Sequence, residues 1–130
     1  MANGIDVGGT LTAMDFIDLI LNEAGLTARK AFEYRLTVIE DGMSPDIGFC
    51  SVREVRRDPS TRRCCVSLAS RNPTRTAGMT VNEFKTAWLN AGILPMDIVT
   101  FRHSDGGGTR QQVERVAVDN AHKSVNVYLG

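Results

Sequence analysis

Apolar positions in this chain follow two periods that alternate along its length. Across residues 12–25, Ala13, Phe16, Ile17, Ile20 and Ala24 recur at helical spacing. Thr12 stands where a cap belongs, Asp15 answers it as in a capping box, and Leu11 and Phe16 form a hydrophobic staple across the cap. Gly25 then serves as a left-handed stop. A second helix repeats each device with Thr80, Glu83, Met79 with Phe84, and Gly92, and its buried stripe is Val81, Phe84, Trp88 and Ala91. Elsewhere the period is two. Residues 31–40 set Phe32, Tyr34, Leu36 and Val38 against Glu33, Arg35 and Thr37, which predicts a half-buried strand. Residues 49–57 and 62–69 predict a hairpin around Asp58-Pro59-Ser60-Thr61. Residues 97–103 predict a strand, and 110–118 with 123–129 a second hairpin around Asp119-Asn120-Ala121-His122.

The two halves echo each other. Val113, Val116, Asp119, Val127 and Leu129 recur sixty-one positions earlier as Val52, Val55, Asp58, Val66 and Leu68. The expected fold is therefore α+β, a tandem duplication of an αβββ unit in which one helix precedes an antiparallel meander. A pseudo-twofold axis, antiparallel sheets joined edge to edge or face to face, and two packed helices complete the expectation. Residues 1–11 form an N-terminal arm, 12–69 the first unit, 70–78 a linker and 79–130 the second, all within one compact domain.

Composition narrows the class. A chain of 130 residues buries enough surface to fold without a disulfide or metal. Fifteen basic and fifteen acidic residues cancel, so no global field draws the protein to nucleic acid or to a membrane. The opening Met1-Ala2-Asn3-Gly4-Ile5-Asp6 lacks the pattern of a signal peptide, and no apolar run approaches a membrane span. Cys50, Cys64 and Cys65 are thus expected reduced, in the cytoplasm or in a virion assembled in a host cytoplasm.

Charge is uneven along the chain: residues 28–76 hold ten bases against six acids. Four turn residues in the first hairpin would set Arg57 opposite Arg62 and Arg56 opposite Arg63, with Arg53 nearby; the second hairpin has one lysine there. Like charges directly opposite are destabilising, so this tip is expected to meet phosphates or carboxylates from outside, unless it only keeps the strand edge solvated.

Candidate chemistry is sparse. Gly4-Ile5-Asp6-Val7-Gly8-Gly9-Thr10 resembles the phosphate loop of sugar kinases with the actin/hexokinase-like fold, where Asp6 and the glycines would approach nucleotide phosphates. That family's second strand returns at once, whereas here Thr12 opens a helix. Ser104–Arg110 is glycine-rich but leads into a strand, without the helix N-terminus that gives phosphate loops their strength. His103-Ser104-Asp105 are neighbours on a strand and point to alternate faces, so they form no relay. The cysteines have no CxxC spacing. No catalytic residue, cofactor or metal is expected.

The chain is expected to act by contact, as a non-enzymatic structural or assembly subunit of a larger symmetric particle, most naturally a viral or phage virion. Its partners would be protein subunits, with Arg53, Arg56, Arg57, Arg62, Arg63 and the arm residues Ile5 and Val7 as contacts. The alternative is a nucleic-acid-binding or regulatory adaptor using the arginine tip, and a third is a small enzyme.

Overall fold

The structure, a computed structural model, describes residues 5–6, 11–23, 27–40, 49–69, 78–103 and 113–130. It is α+β. One mixed sheet takes β1 (Ile5–Asp6), β2 (Arg35–Ile39), β3 (Phe49–Asp58), β4 (Arg63–Leu68), β5 (Ile98–His103), β6 (Val113–Asp119) and β7 (Ser124–Leu129) in the order β1-β6-β7-β2-β3-β4-β5. The helices are α1 (Ala13–Asp18), prolonged by a π turn at Leu19–Glu23, α2 (Ala28–Glu33) and α3 (Val81–Asn90). Among the described residues no helix is long and apolar enough to cross a membrane.

The sheet is mixed where antiparallel sheets were expected. Each hairpin is antiparallel, but β2 joins β7 in parallel and β4 joins β5 in parallel. Both joints link strands from different halves of the chain, so the halves merge edge to edge. The sheet also has to curl. Ile5–Asp6 lie beside β6, while Thr12 bridges Ile98 at the far edge. Six residues reach about 21 Å at most, whereas a flat sheet would separate those two flanks by about 34 Å at roughly 4.8 Å per strand.

Curling gives the sheet an inner face lined by Leu36, Val38, Cys50, Val52, Cys64, Val66, Leu68, Val116, Val125 and Val127, all buried. Phe16 of α1 closes this core. Its ring centroid lies 6.2 Å from Phe84, 5.9 Å from Trp88 and 5.9 Å from Phe101.

Each helix start docks on the opposite half. Ala13 N–H donates to Asp97 O, and Val81 N–H donates to Tyr34 O. Val99 N–H donates to Leu11 O, and Leu36 N–H to Met79 O. Thr12 bridges Ile98, and Thr80 bridges Arg35. The hairpins also correspond: each carries a bulge, between Val52/Glu54 and between Val113/Arg115, and each turn ends in a left-handed residue, Arg62 at φ 54° or Lys123 at φ 51°.

Three local expectations need correction. The strand over 31–40 begins only at Arg35, because Thr27 caps a short helix through Lys30 N–H and Arg29 pairs with Glu33 one turn on. Phe32 is consequently 67% exposed rather than in the core. The first helix leaves α geometry at Leu19, and its expected stop at Gly25 lies outside the described residues. Third, the hairpin registers sit two residues from those expected. Asp58 pairs with Arg63, Arg57 with Cys64 and Arg56 with Cys65, since the turn residues are 59–62 and not 58–61. The second hairpin does the same, Asp119 pairing with Ser124 and Val118 with Val125.

Candidate functional site: a basic groove and a buried Glu-Cys-His cluster

The corrected register changes what the arginine tip is. No arginine faces another across the hairpin; the outermost pair is Asp58 with Arg63, of opposite charge. Asp58 also holds the turn, accepting from Ser60 N–H at 3.0 Å and from the Ser60 hydroxyl at 2.6 Å. The Ser60 hydroxyl, followed by the other turn donors, keeps the Asp58 carboxyl below its ordinary range. The hairpin therefore carries no cross-strand arginine repulsion, while its arginines remain concentrated near the tip.

Arg53, Arg56, Arg57 and Arg102 line a groove of about 730 Å³ over β3, β4 and β5. Its origin lies in the register. Small residues of the central strand, Cys65 and Ser67, are flanked by Arg56 and Glu54 on β3 and by Thr100 and Arg102 on β5. Arg56 and Glu54 on one side and Arg102 on the other rise past these short residues and leave a trough. Arg53, the extra residue at the β3 bulge, adds a further cation, and Arg56 meets Glu54 at 3.1 Å in solvent.

Arg57 also lines the groove but is committed. Its Nε donates to Asp97 Oδ2 at 2.7 Å and its Nη2 to Asp97 Oδ1 at 3.0 Å. This fork holds Asp97 below the ordinary carboxylate range, against the opposing effect of burial, and Leu94 N–H adds to it. Arg62 is exposed on the turn and gives its carbonyl to Ile98 N–H. Ile5 pairs with Val116 at the sheet edge, and Val7 lies outside the described residues. The sequence-selected arginines thus divide: Arg53, Arg56 and Arg57 meet in the groove, Arg62 ends the turn beyond it, and Arg63 opens β4 opposite Asp58.

His103 lines the same groove and leads to a cluster that spacing along the chain does not flag. Its Nε2 lies 2.9 Å from Glu40 Oε1, and Cys50 Sγ donates to that same oxygen at 3.5 Å. Glu40 follows β2, Cys50 lies in β3 and His103 ends β5. Glu40 and Cys50 are buried, and His103 keeps 18% of its side chain exposed. Among the described residues these three have ligand atoms mutually close enough, all within 4.8 Å, to hold a metal ion.

The other titratable groups serve structure. Burial pushes the Cys64 thiol up to about 12, so it stays protonated beside Val66 and Leu68. His122, in the turn of the second hairpin, is held at its Nδ1 by Asp119 Oδ2 at 2.7 Å. Burial pulls Asp119 upward, but hydrogen bonds from His122 and Asn126 outweigh it and keep the carboxyl below its ordinary range. Asn126 Oδ1 in turn accepts from Thr37 and Ser124, a buried polar knot across the parallel joint of β2 and β7.

An exposed apolar patch borders the hairpin tip. Met14 of α1 is bonded through its N–H to Pro95 O, and the loop after α3 brings Leu94 and Met96 beside it. Met14 is 54% exposed, Leu94 52% and Met96 72%, and the Asp97 that holds Arg57 closes the same loop. No protein-family model, no curated protein and no solved structure matches this chain.

Proposed function

We propose that this protein is a non-enzymatic assembly subunit that works through contacts with further copies of itself, and that its fold is a tandem duplication of an αβββ unit. The paired bulges, the paired left-handed turn residues and the reciprocal docking of each helix start support the duplication. The pseudo-twofold axis of this reading relates β2, β3 and β4 to β5, β6 and β7.

The observation that carries the assembly reading is the patch of Met14, Leu94 and Met96 beside the Arg57–Asp97 pair. Exposed apolar surface next to arginine is the composition of protein interfaces, where Met and Arg are enriched and Lys and Glu are scarce. A net charge of zero removes the long-range repulsion that keeps copies apart. We assign such a subunit to a symmetric particle, as in a viral or phage virion, where one contact repeats around a closed or extended array.

The test is size-exclusion chromatography with light scattering across a concentration series, on the native chain and on Met14→Glu/Met96→Glu. Growth of defined larger species by the native chain, lost in the double variant, is expected. A native chain that stays monomeric throughout sinks the reading.

A second reading, a nucleic-acid adaptor, draws on Arg53, Arg56 and Arg102 in the groove. The acids there count against it: Glu54 answers Arg56, and Asp58 stands at the tip. Binding of nucleic acid that weakens steeply with salt and is lost in Arg53→Ala/Arg56→Ala/Arg102→Ala would favour it.

A further inference from the structure

Glu40, Cys50 and His103 lie sixty-three positions apart at the extremes, yet the curl of the sheet gathers them at one end of the inner face. They fall on the core-facing parity of their strands. Glu40 continues the row of Leu36 and Val38, Cys50 pairs with Val38, and His103 pairs with Leu68. A carboxylate, a thiol and an imidazole on that face are unusual among Val, Leu and Phe.

We propose that Glu40, Cys50 and His103 form a mononuclear site for a zinc-class divalent cation, with the fourth coordination position taken by a water or small anion. The donor set of one sulfur, one nitrogen and one oxygen suits zinc better than magnesium or calcium, which take oxygen ligands. The spacing comes near that of a tetrahedral site. Tetrahedral zinc with bonds of about 2.0–2.3 Å sets its ligand atoms about 3.3–3.6 Å apart. Here Cys50 Sγ lies 3.5 Å from Glu40 Oε1, His103 Nε2 lies 2.9 Å from it, and all three atoms fit within 4.8 Å. Small side-chain rotations would admit the ion.

Charge balances on binding. The Cys50 thiol gives its proton to solvent and binds as thiolate, His103 binds as neutral imidazole, and Glu40 exchanges its hydrogen-bond partners for the metal. Two ligand anions then neutralise the dication, which suits a buried site. His103 supplies the way in, because it is the partly exposed member and also lines the groove. A water or small anion entering there would complete four-coordination.

This inference stands apart from self-assembly, and its test reads metal binding alone. Metal-free full-length protein is titrated with cobalt(II), then with zinc(II). The expected result is one equivalent of cobalt, a thiolate-to-cobalt charge-transfer band with tetrahedral d–d bands, and displacement by zinc. Cys50→Ser should abolish the charge-transfer band and His103→Gln should weaken binding at least tenfold, while Cys65→Ser leaves both unchanged. If a variant fails to fold, the native chain decides: zinc should raise Tm and a chelator should reverse it. No charge-transfer band in the native chain, no zinc-dependent shift in Tm, or a band that follows Cys65 instead of Cys50 overturns the site.

Discussion

Arg57 and Asp97 meet through two parallel hydrogen bonds, with only 19% and 3% of their side chains exposed. The fork lowers the pKa of Asp97 in the folded chain below its unfolded value of about 3.9. A carboxylate depressed in this way contributes stability that is present above the unfolded value and drains as pH falls through the folded one. Thermal unfolding should therefore change little on this account between neutral pH and about pH 4, then weaken in stronger acid. Asp58, Glu83 and Asp119 are lowered too and share the acid slope. Asp97→Asn should lower Tm at neutral pH and also shrink the difference between Tm at neutral pH and in acid; an unchanged difference would show that Asp97 does not titrate below its ordinary range. At this scale the arginines of the tip were legible from composition, but their partners were not. Asp97 is forty positions from Arg57, and moving the turn from 58–61 to 59–62 replaced each expected arginine–arginine pair. Glu40, buried beside His103, left no mark in a pattern that places carboxylates outside.

Helix starts were the most legible elements, because their signals are local. At α3 both halves of the capping box form: Glu83 N–H donates to Thr80 Oγ1 at 3.1 Å and Thr80 N–H to Glu83 Oε1 at 2.9 Å. At α1 the observed cap is one-sided, with Asp15 N–H reaching Thr12 Oγ1 at 3.4 Å. Thr80→Ala should thus cost about 1 kcal/mol and Thr12→Ala less, measured by chemical denaturation. Strand period proved less reliable, since the alternation through Phe32 and Tyr34 runs across the end of α2. Two phenylalanines separate the readings. Phe16 is fully buried among Phe84, Trp88 and Phe101, so Phe16→Ala should cost about 3–5 kcal/mol. Phe32 lies on the exposed side of α2, and Phe32→Ser should stay within about 0.5 kcal/mol. A large loss at Phe32 would mean that it is covered by a partner or belongs to the strand after all.

At the scale of the molecule, the two halves hold each other together more than either holds itself. The first backbone donors of each helix end on carbonyls of the other half, Ala13 to Asp97 and Val81 to Tyr34. The two parallel joints, β2 with β7 and β4 with β5, also run between halves. None of this was visible in a periodic pattern, which records the faces of elements and not their neighbours; the sixty-one-residue echo predicted two units and carried nothing on how the halves of the chain interlock. The interlocking has a consequence for fragments cut between residues 77 and 78. Either fragment alone leaves unpaired strand edges, uncapped helix donors and an open apolar face. Neither should give a folded monomer by NMR or circular dichroism. Mixing them should restore the native signature in a one-to-one complex, because every cross-half contact reforms. Either fragment alone can also pair with its own copy, each helix start then docking on the twin's first strand, and this would appear as a dimer by light scattering. A folded monomeric fragment of residues 78–130 is the outcome that contradicts the interlock, since it would require β5 and α3 to satisfy their edges within one half.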